Sequence, residues 1–263
     1  MENGNGGPVT IPGPPAFQAP EPRLSVVIPA HNEEKYLPRL LAGIAAARAR
    51  YRRGAGAVEV VVADNESTDG TAEVSQTRGC RVVPVSKRVI AAARNGGARA
   101  SKGEILAFVD ADTMVHPDTF NAIEAALEGE KVVGGATGMT MERWSTGIAL
   151  TYVALVPLVR ILGVDGGVVF CRRDDFIELG GYDESRLYAE DVDFLLKLKR
   201  FGRRRGQRFE RLQGVKAIAS ARKFDRHGDW HYFSGMLRFA WGGLFDRASL
   251  QRLIRTYWYE DPR

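Results

Sequence analysis

Short apolar runs alternate with longer helix-patterned segments along most of this 263-residue chain. Such alternation predicts parallel strands joined by helical crossovers. Several of the strands are continuous apolar runs, which indicates that helices cover both faces of the sheet. The predicted elements, in order, are a strand LSVVIP ending at Pro29, a helix from about Lys35 to Arg50, a strand VEVVVA ending at Ala63, a short helix after DNESTDGT, a strand CRVVPV, a helix from about Val89 to Ser101, and an apolar run EILAFV that stops at Asp110. The predicted fold class is α/β, with a predominantly parallel sheet flanked by helices.

The chain divides into three predicted segments. Residues 1–22 are dense in Pro and Gly and lack the basic start and apolar run of a secretory signal, which predicts a disordered tail. Residues 23–228 hold the alternating pattern and form the predicted α/β domain, while residues 229–263 are predicted to be a helical extension packed on it. An apolar stretch at residues 147–163 contains Pro157 and Arg160, which favours a buried or interfacial helix over a membrane crossing.

Composition and charge narrow the class of protein. The chain is 44% hydrophobic and 26% charged, an ordinary globular balance, and its net charge of +5 favours anionic partners such as nucleotides and phosphates. No aromatic-interleaved basic motif accompanies the charge, so we expect no nucleic-acid partner. Cys80 and Cys171 are the only cysteines, which supports neither a disulfide framework nor a cysteine zinc site. A cytoplasmic location is expected, with peripheral contact at the inner face of a membrane left open.

Polar residues follow three of the predicted strands. They are His31, Asn32 and Glu33 after the first strand, Asp64 and Asn65 after the second, and Asp110 and Asp112 after the fourth. Ligands of open α/β sheets bind at the carboxyl ends of strands, where these residues collect on one edge. This edge is the predicted binding site.

Asp110 and Asp112 form an Asp-Ala-Asp triplet at a predicted strand end. Side chains two residues apart in a strand point to the same side. Two carboxylates about 4 Å apart repel by roughly 4 kcal/mol at an effective dielectric of 20. A divalent cation would relieve this repulsion, and oxygen ligands suit Mg²⁺ or Mn²⁺ bridged to substrate phosphates. The triplet predicts a metal site.

Five segments, taken in order, resemble the family 2 glycosyltransferases. They are SVVIPAHNEEKYL (25–37), VVVADNESTDGT (60–71), AAARNGGARASKGEILAFVDADT (91–113), GGVVFCRRDDFIELGGYDE (166–184) and YAEDVDF (188–194), and the later SARKFDRHGDW is similar to the closing motif of small bacterial members. The resemblance implies the glycosyltransferase-A fold, the nucleotide-diphospho-sugar transferase fold, and a nucleotide-diphospho-sugar donor.

The resemblance also implies a set of donor-binding residues. Pro29, His31 and Glu33 would lie under the nucleoside, with Glu33 accepting from ribose hydroxyls. Asp64 would accept from a ring N–H of the base, which uracil and guanine offer and cytosine does not, so a UDP- or GDP-sugar is favoured. The remaining donor residues implied are Arg94, Asn95, Asp110 and Ala111, with Asp110 and Asp112 as metal ligands.

The catalytic residues implied are Glu190 and Asp191, which open an amphipathic helix. Asp191 aligns with the family residue that removes a proton from the acceptor hydroxyl, and attack opposite the leaving diphosphate would invert the anomeric centre. Arg222 and Lys223 are candidates for assisting the leaving group. A third metal ligand stays open between His227 and His231.

Other features bear on processivity and on rival functions. Processive members carry a Gln-x-x-Arg-Trp motif, where this chain has residues 220–224, SARKF, so transfer of one sugar per encounter is expected. A sugar-phosphate nucleotidylyltransferase is the rival enzyme, but its Gly-rich loop after the first strand is absent. A catalytically silent nucleotide-sugar binding module is the rival from another class. A lipid-linked acceptor and a homodimer are left open.

Overall fold

The computed structural model describes residues 21–162, 165–187 and 189–230. The predicted tail of residues 1–22 and the predicted extension of residues 229–263 lie almost wholly outside the described residues, so both stay predictions. The candidate metal ligand His231 also lies outside them.

A predominantly parallel sheet forms the centre of the described chain. Its strands, together with a separate pair, are β1 (Leu24–Ala30), β2 (Val58–Asp64), β3 (Arg81–Pro84), β4 (Ile105–Phe108), β5 (Val132–Ala136), β6 (Met139–Met141), β7 (Val169–Arg172), β8 (Arg208–Arg211) and β9 (Ala217–Ala219). The main sheet has the order β3-β2-β1-β4-β7-β5-β8, and β6 pairs with β9 in parallel. Only β7 runs antiparallel to its neighbours in the described main sheet. The predicted α/β class is confirmed.

Helices follow most of the strands. They are α1 (Leu37–Arg50), α2 (Thr71–Thr77), α3 (Ile90–Ala100), α4 (Thr119–Leu127), α5 (Thr146–Leu162), α6 (Arg173–Glu178), α7 (Glu190–Arg204) and α8 (Arg222–His227), with a 3₁₀ turn at Ala55–Ala57. The predicted boundaries of α1 and α3 agree with these within two residues. The apolar stretch of residues 147–163 forms α5, which contains Pro157. No helix among the described residues combines the length and apolar character that a membrane crossing requires.

The central strands β1, β4 and β5 are buried on both faces, as continuous apolar runs predict. Along β1, Val26 and Ile28 belong to one core cluster, together with side chains of α1 and α4. Val27 points to the other face and joins a second cluster with Phe108 of β4 and Phe194 of α7. Alternate residues of one strand therefore fill two separate cores, because side chains alternate across a strand.

Helix α3 packs unusually close to the sheet because it carries glycines at the contact. A Cβ on Gly97 would lie 2.5 Å from Cγ1 of Val27, and one on Gly96 would lie 2.6 Å from Cγ2 of Val85. Real Cβ atoms do not approach other heavy atoms so closely, so these positions need glycine. The close packing fixes the preceding residues of α3, Arg94 and Asn95, beside the carboxyl ends of the strands.

Candidate active site

The loops after β1 and β2 are joined to each other by hydrogen bonds. The backbone N–H of Glu33 donates to Thr71 Oγ1 at 2.8 Å, and the backbone N–H of Asn32 donates to Ser67 Oγ at 3.0 Å. Asn32 Oδ1 accepts from the backbone N–H of Thr68 at 2.8 Å. Asn32 has φ of 53°, a left-handed conformation that Asn tolerates better than most residues. The two loops therefore form one fixed rim at this edge of the sheet.

The ring of His31 is held between two polar partners. Its Nδ1 lies 2.8 Å from the Asn65 carbonyl oxygen, and its Nε2 lies 2.7 Å from Nη2 of Arg88. A carbonyl can only accept and a guanidinium can only donate, so Nδ1 carries the hydrogen and Nε2 accepts. The carboxylate of Asp64 accepts from the backbone N–H of Ser67 at 3.2 Å.

Two other predicted donor residues offer little side-chain surface. Pro29 is buried within β1, opposite Ala63 of β2, and Ala111 is 3% exposed with its side chain in the core. A ligand would reach Ala111 through its backbone rather than through its methyl group. Pro29 contributes to the floor of this edge.

The side chain of Arg94 joins the Asp-Ala-Asp triplet of residues 110–112 to the start of α7. Its Nη2 donates to Asp110 Oδ1 at 2.9 Å, and its Nη1 donates to Glu190 Oε1 at 2.6 Å. Its guanidinium also lies over the ring of Tyr182, 5.2 Å from the ring centre. Burial raises the pKa of Glu190, and Arg94 opposes that rise. Charge-assisted bonds of this kind are stronger and more directional than neutral ones.

The side chain of Arg222 joins the other half of the triplet to the loop after β1. Its Nη1 and Nη2 donate to the two carboxylate oxygens of Glu33 at 2.6 and 2.9 Å. Its Nε lies 2.8 Å from Asp112 Oδ2, and its guanidinium covers the ring of Tyr36 at 4.7 Å. Helix α8 is thereby fixed to the rim. Both Glu33 oxygens, predicted to face ribose hydroxyls, accept from Arg222 in the structure.

The metal triplet is built differently from the prediction. Strand β4 ends at Phe108, and the backbone N–H of Thr113 donates to the Asp110 carbonyl oxygen at 3.0 Å in a turn. Strand alternation therefore does not set the directions of Asp110 and Asp112, and that part of the prediction is wrong. The two aspartates still lie close enough to interact, since the charge of Asp110 contributes to raising the pKa of Asp112.

The charges of the triplet fit a divalent cation. Burial raises the pKa of Asp112, and the carboxylates of Asp110 and Glu33 add to that rise while Arg222 opposes it. Arg94 and Arg222 each engage one oxygen of an aspartate, which leaves the second oxygen of each aspartate outside these pairs. Within the described ranges, no group of three or more His, Cys, Asp or Glu side chains is placed to hold a metal ion. Mg²⁺ and Mn²⁺ are commonly held by one or two carboxylates, with phosphates and water completing the shell, so the residues fit such an ion.

Helix α7 begins with the two predicted catalytic carboxylates. Glu190 is 7% exposed and faces Arg94, whereas Asp191 is half-buried and its Oδ1 accepts from the backbone N–H of Val192 at 2.8 Å. Ala189, directly before them, has φ of 52°. A left-handed conformation at a residue other than Gly or Asn carries strain that neighbouring contacts must hold. The start of α7 is therefore a strained and fixed point beside the triplet.

Asn95 is 5% exposed and its side chain turns away from the triplet. Its Nδ2 donates to the Tyr182 carbonyl oxygen at 2.9 Å and to Glu184 Oε1 at 3.0 Å. Its Oδ1 accepts from the backbone N–H of Tyr182 at 2.9 Å. The structure thus brings Glu33, Arg94, Asp110, Asp112 and Glu190 into one charged network and places Asn95 behind it.

A polar cavity of about 760 Å³ opens beside Arg222. It lies between the loop after β1, the loop after β2 and helix α8, and its walls include Lys35, Tyr36, Thr68, Lys223 and His227. Lys223, together with Arg222, opposes the rise that burial causes in the pKa of Asp112. His227, the last residue of α8 and a candidate third metal ligand, thus lines this cavity.

Sequence reasoning missed several residues that organise this site. Ser67 and Thr71 fix the two loops, and Arg88 orients His31. The turn-forming composition of residues 64–71 is the signal that could have indicated the loop contacts. The sequence has no comparable signal for Arg88 on His31.

The chain belongs to glycosyl transferase family 2. The model of this family matches residues 25–233, which is most of the chain. Over 114 residues the chain is 37% identical to validoxylamine A glucosyltransferase of Streptomyces hygroscopicus subsp. limoneus, covering 41% of the chain and 24% of that relative. Over 131 residues it is 34% identical to undecaprenyl-phosphate 4-deoxy-4-formamido-L-arabinose transferase of Aeromonas hydrophila, covering 46% of the chain and 39% of that relative. The matches therefore span well under half the length of these curated relatives.

Solved structures support the fold. The crystal structure of S. aureus TarS 1-349 aligns with a TM-score of 0.60 and 20% identity, covering 76% of this chain and 60% of that chain. Glucosyl-3-phosphoglycerate synthase from Mycobacterium tuberculosis aligns with a TM-score of 0.57 and 23% identity, covering 80% of this chain and 75% of that chain. The predicted glycosyltransferase-A fold is thus confirmed.

Proposed function

We propose that this chain is an inverting, non-processive glycosyltransferase that moves a sugar from a UDP- or GDP-sugar to an acceptor hydroxyl with the help of a divalent cation. The observation that carries the proposal is the Arg94 bridge. One guanidinium holds Asp110 of the metal triplet and Glu190 at the start of α7, at 2.9 and 2.6 Å. This bridge joins the proposed diphosphate side of the reaction to the proposed base.

The donor side rests on Asp110 and Asp112. A bound Mg²⁺ or Mn²⁺ would neutralise the charge that develops on the leaving diphosphate. Arg222 and Lys223 add fixed positive charge beside Asp112. Solved structures of glucosyl-3-phosphoglycerate synthase and of the mannosyltransferase PcManGT from Pyrobaculum calidifontis contain Mn²⁺, with UDP in the first and GDP-mannose in the second. We extend that class of ion to this chain because of its own two aspartates.

The acceptor side rests on Asp191. We propose that its carboxylate takes the proton of the acceptor hydroxyl while the hydroxyl oxygen bonds to the anomeric carbon and the bond from that carbon to the diphosphate breaks. The sugar leaves with inverted configuration, because attack and departure occur on opposite faces. A positioned base of this kind typically contributes 10²–10⁴-fold to rate. Glu190, tied to Arg94, would orient this end of α7.

The acceptor class we would test first is a lipid-linked hydroxyl. The name of the Aeromonas hydrophila relative contains undecaprenyl phosphate, a lipid phosphate. Trp144 and Trp230 are about half exposed, and Val153 on α5 is 66% exposed, which gives the described chain apolar surface. Transfer to the hydroxyls of a lipid-linked sugar in detergent, compared with transfer to water and to the phosphate oxygen of undecaprenyl phosphate, would test this class.

The mechanism is tested with Asp191→Asn, and Asp193→Asn provides the matched control. Asp193 lies two residues further along α7 and forms ion pairs with Arg186 at 3.2 Å and Lys197 at 2.8 Å. We expect Asp191→Asn to lower the rate of donor-sugar transfer or hydrolysis by about 100-fold or more, a barrier increase of about 3 kcal/mol. Asp193→Asn should stay within a few-fold of wild type, and nucleotide affinity should change little in either variant.

Two results would reject this mechanism. One is near-normal turnover in Asp191→Asn. The other is retention of the anomeric configuration in the product, measured by proton NMR early in the reaction. Thermal-shift screening with UDP, GDP and CDP, each with and without Mn²⁺, selects the donor for these assays. If the chain binds one of these nucleotides but does not hydrolyse the corresponding nucleotide-sugars, it is instead a catalytically silent binding module.

A further inference from the structure

The side-chain amide of Asn95 forms hydrogen bonds with a backbone segment in the way that the backbone of a paired strand would. Its side-chain amide exchanges two hydrogen bonds with Tyr182, one to the carbonyl oxygen and one from the N–H, both at 2.9 Å. The second hydrogen of Nδ2 reaches Glu184 Oε1 at 3.0 Å. Both donor hydrogens and the acceptor oxygen of the amide are thus used inside the protein. A group so engaged has no hydrogen left to donate to a nucleotide.

The segment that Asn95 holds leads directly into α7. Gly181 has φ of 70°, and a Cβ there would lie 2.6 Å from Asn95 Oδ1, so a side chain at this position would push the segment away. Glu184 also accepts from Lys87 Nζ at 3.0 Å. The segment ends at the strained Ala189 and at Glu190, which Arg94 holds. Successive residues of α3 therefore hold Tyr182 and Glu184 on one side and Glu190 on the other.

We propose that Asn95 is a positioning residue that sets the place of Asp191, and that it does not contact the donor. The proposal rests on the proposed function of Asp191 as the base. Asn95 holds residues 182–184, and the adjacent Arg94 holds Glu190, the neighbour of Asp191. The left-handed conformation of Ala189, directly before Glu190, needs such neighbouring contacts to be maintained. Small displacements of a reacting group can lower rate by up to about 100-fold.

The test uses Asn95→Asp, alone and combined with Glu184→Gln. The aspartate keeps the acceptor for the Tyr182 N–H but turns the donating side into a carboxylate facing Glu184 and the Tyr182 carbonyl oxygen. In the double variant, the side-chain amide introduced by Glu184→Gln can donate to that carboxylate. Glu184→Gln alone is the matched control, because its amide oxygen can still accept from Asn95.

We expect Asn95→Asp to lower kcat for donor-sugar hydrolysis by about 10- to 100-fold. The Kd for UDP or GDP with Mn²⁺, measured by calorimetry, should stay within about two-fold, since the amide does not face the donor. The double variant should recover part of kcat, and Glu184→Gln alone should stay near wild type. Unchanged kcat in Asn95→Asp, or a Kd weakened about ten-fold with kcat preserved, would overturn the proposal.

A readout independent of turnover separates this proposal from the proposed function. Hydrogen exchange of backbone amides in residues 182–192 should become faster in Asn95→Asp than in wild type and slower again in the double variant. Wild type without measurable hydrolysis would reject the proposed function, and exchange in this segment would still decide the positioning role. Unaltered exchange would refute it.

Asn95→Asp could itself fail to fold, because Asn95 is buried. The outer pair of the same network, Lys87 and Glu184, then carries the test, since their side chains are 55% and 28% exposed. Glu184→Ala should lower kcat by a few-fold and speed exchange in residues 182–192 without altering the nucleotide Kd. Wild-type kcat and exchange in Glu184→Ala would count against the network as a positioning device.

Discussion

Two arginine clusters each contain one aspartate of the Asp-Ala-Asp triplet. Arg94 binds Asp110 and Glu190 and covers the ring of Tyr182, whereas Arg222 binds Asp112 and Glu33 and covers the ring of Tyr36. Each cluster has one aspartate of the triplet, one buried glutamate, one guanidinium and one aromatic ring. In each, the glutamate follows a residue with positive φ, Ala189 in the first and Asn32 in the second.

The two clusters differ in what supports the arginine. Arg94 lies in α3, whose alanines and glycines are buried against the sheet, and its side chain is 8% exposed. Arg222 lies in α8, a helix of six residues, and its side chain is 19% exposed. The first cluster is therefore built into the core. The second, which we call the clasp, is formed by the contacts of Arg222 with Glu33 and Asp112 and holds the short helix α8 against the site. We expect the first to govern stability and the second to govern ligand binding.

The largest expected effect is that of Arg94→Met. It removes the cation from Glu190, whose side chain is 9% exposed, and the packing of α3 gives water little access to the carboxylate left behind. Breaking a buried ion pair by removing one partner typically costs about 3–5 kcal/mol. Urea unfolding followed by circular dichroism should show a loss of that order in the free energy of unfolding. A loss below about 1 kcal/mol would contradict the core role of this cluster.

Arg222→Met should cost less, about 1–2 kcal/mol, in the same unfolding measurement. The Glu33 side chain is 3% exposed and thus more buried than that of Glu190, at 9%, but the short α8 can move away and admit water once the Arg222 contacts are lost. The matched pair of variants is informative because the substitution is identical. If Arg222→Met is the more destabilising of the two, the distinction between core and clasp is wrong.

The next prediction concerns metal affinity. The guanidinium of Arg222 already neutralises part of the charge at Asp112, so it opposes a cation that binds there. In Arg222→Gln, Mn²⁺ alone should bind several-fold more tightly, measured by electron paramagnetic resonance of free Mn²⁺. Binding of UDP with Mn²⁺ should weaken, because positive charge beside the diphosphate is lost. Changes of the same sign in both measurements would refute this role for Arg222.

The sequence predicted the sheet edge well and the partners within it poorly. Strand patterns and strand ends placed His31, Asp64 and Asp110 on one edge, because parallel strands impose that arrangement. The bond between Arg222 and Glu33 joins residues 189 positions apart, and no local pattern encodes such a contact. Asn95 was predicted near the site, but whether its amide faces the donor or the backbone depends on the packing of residues 181–184, which periodicity does not specify.

The end of β4 shows the same limit on a smaller scale. The run EILAFV predicted a strand reaching Asp110, but the strand ends at Phe108 and the triplet lies in a turn. Apolar character continues past the end of the strand because Val109 and Ala111 are buried in the core. Hydrophobicity reports burial, and here burial extends beyond the strand.

The smallest expected effect separates the two residues with positive φ that precede the glutamates. Asn32 is a residue type that tolerates its left-handed conformation, whereas Ala189 carries a cost of about 1 kcal/mol there. Ala189→Gly removes this cost but gives the unfolded chain more freedom, worth about 0.4–1 kcal/mol in the other direction. The free energy of unfolding should therefore change by less than about 0.5 kcal/mol. Asn32→Gly should be more destabilising, because it also removes the acceptor for the Thr68 N–H. A fall in kcat for Ala189→Gly with unchanged stability would show that the strain at Ala189 positions Asp191. Equal stability losses in Ala189→Gly and Asn32→Gly would show that the glutamates of the two clusters are held in the same way.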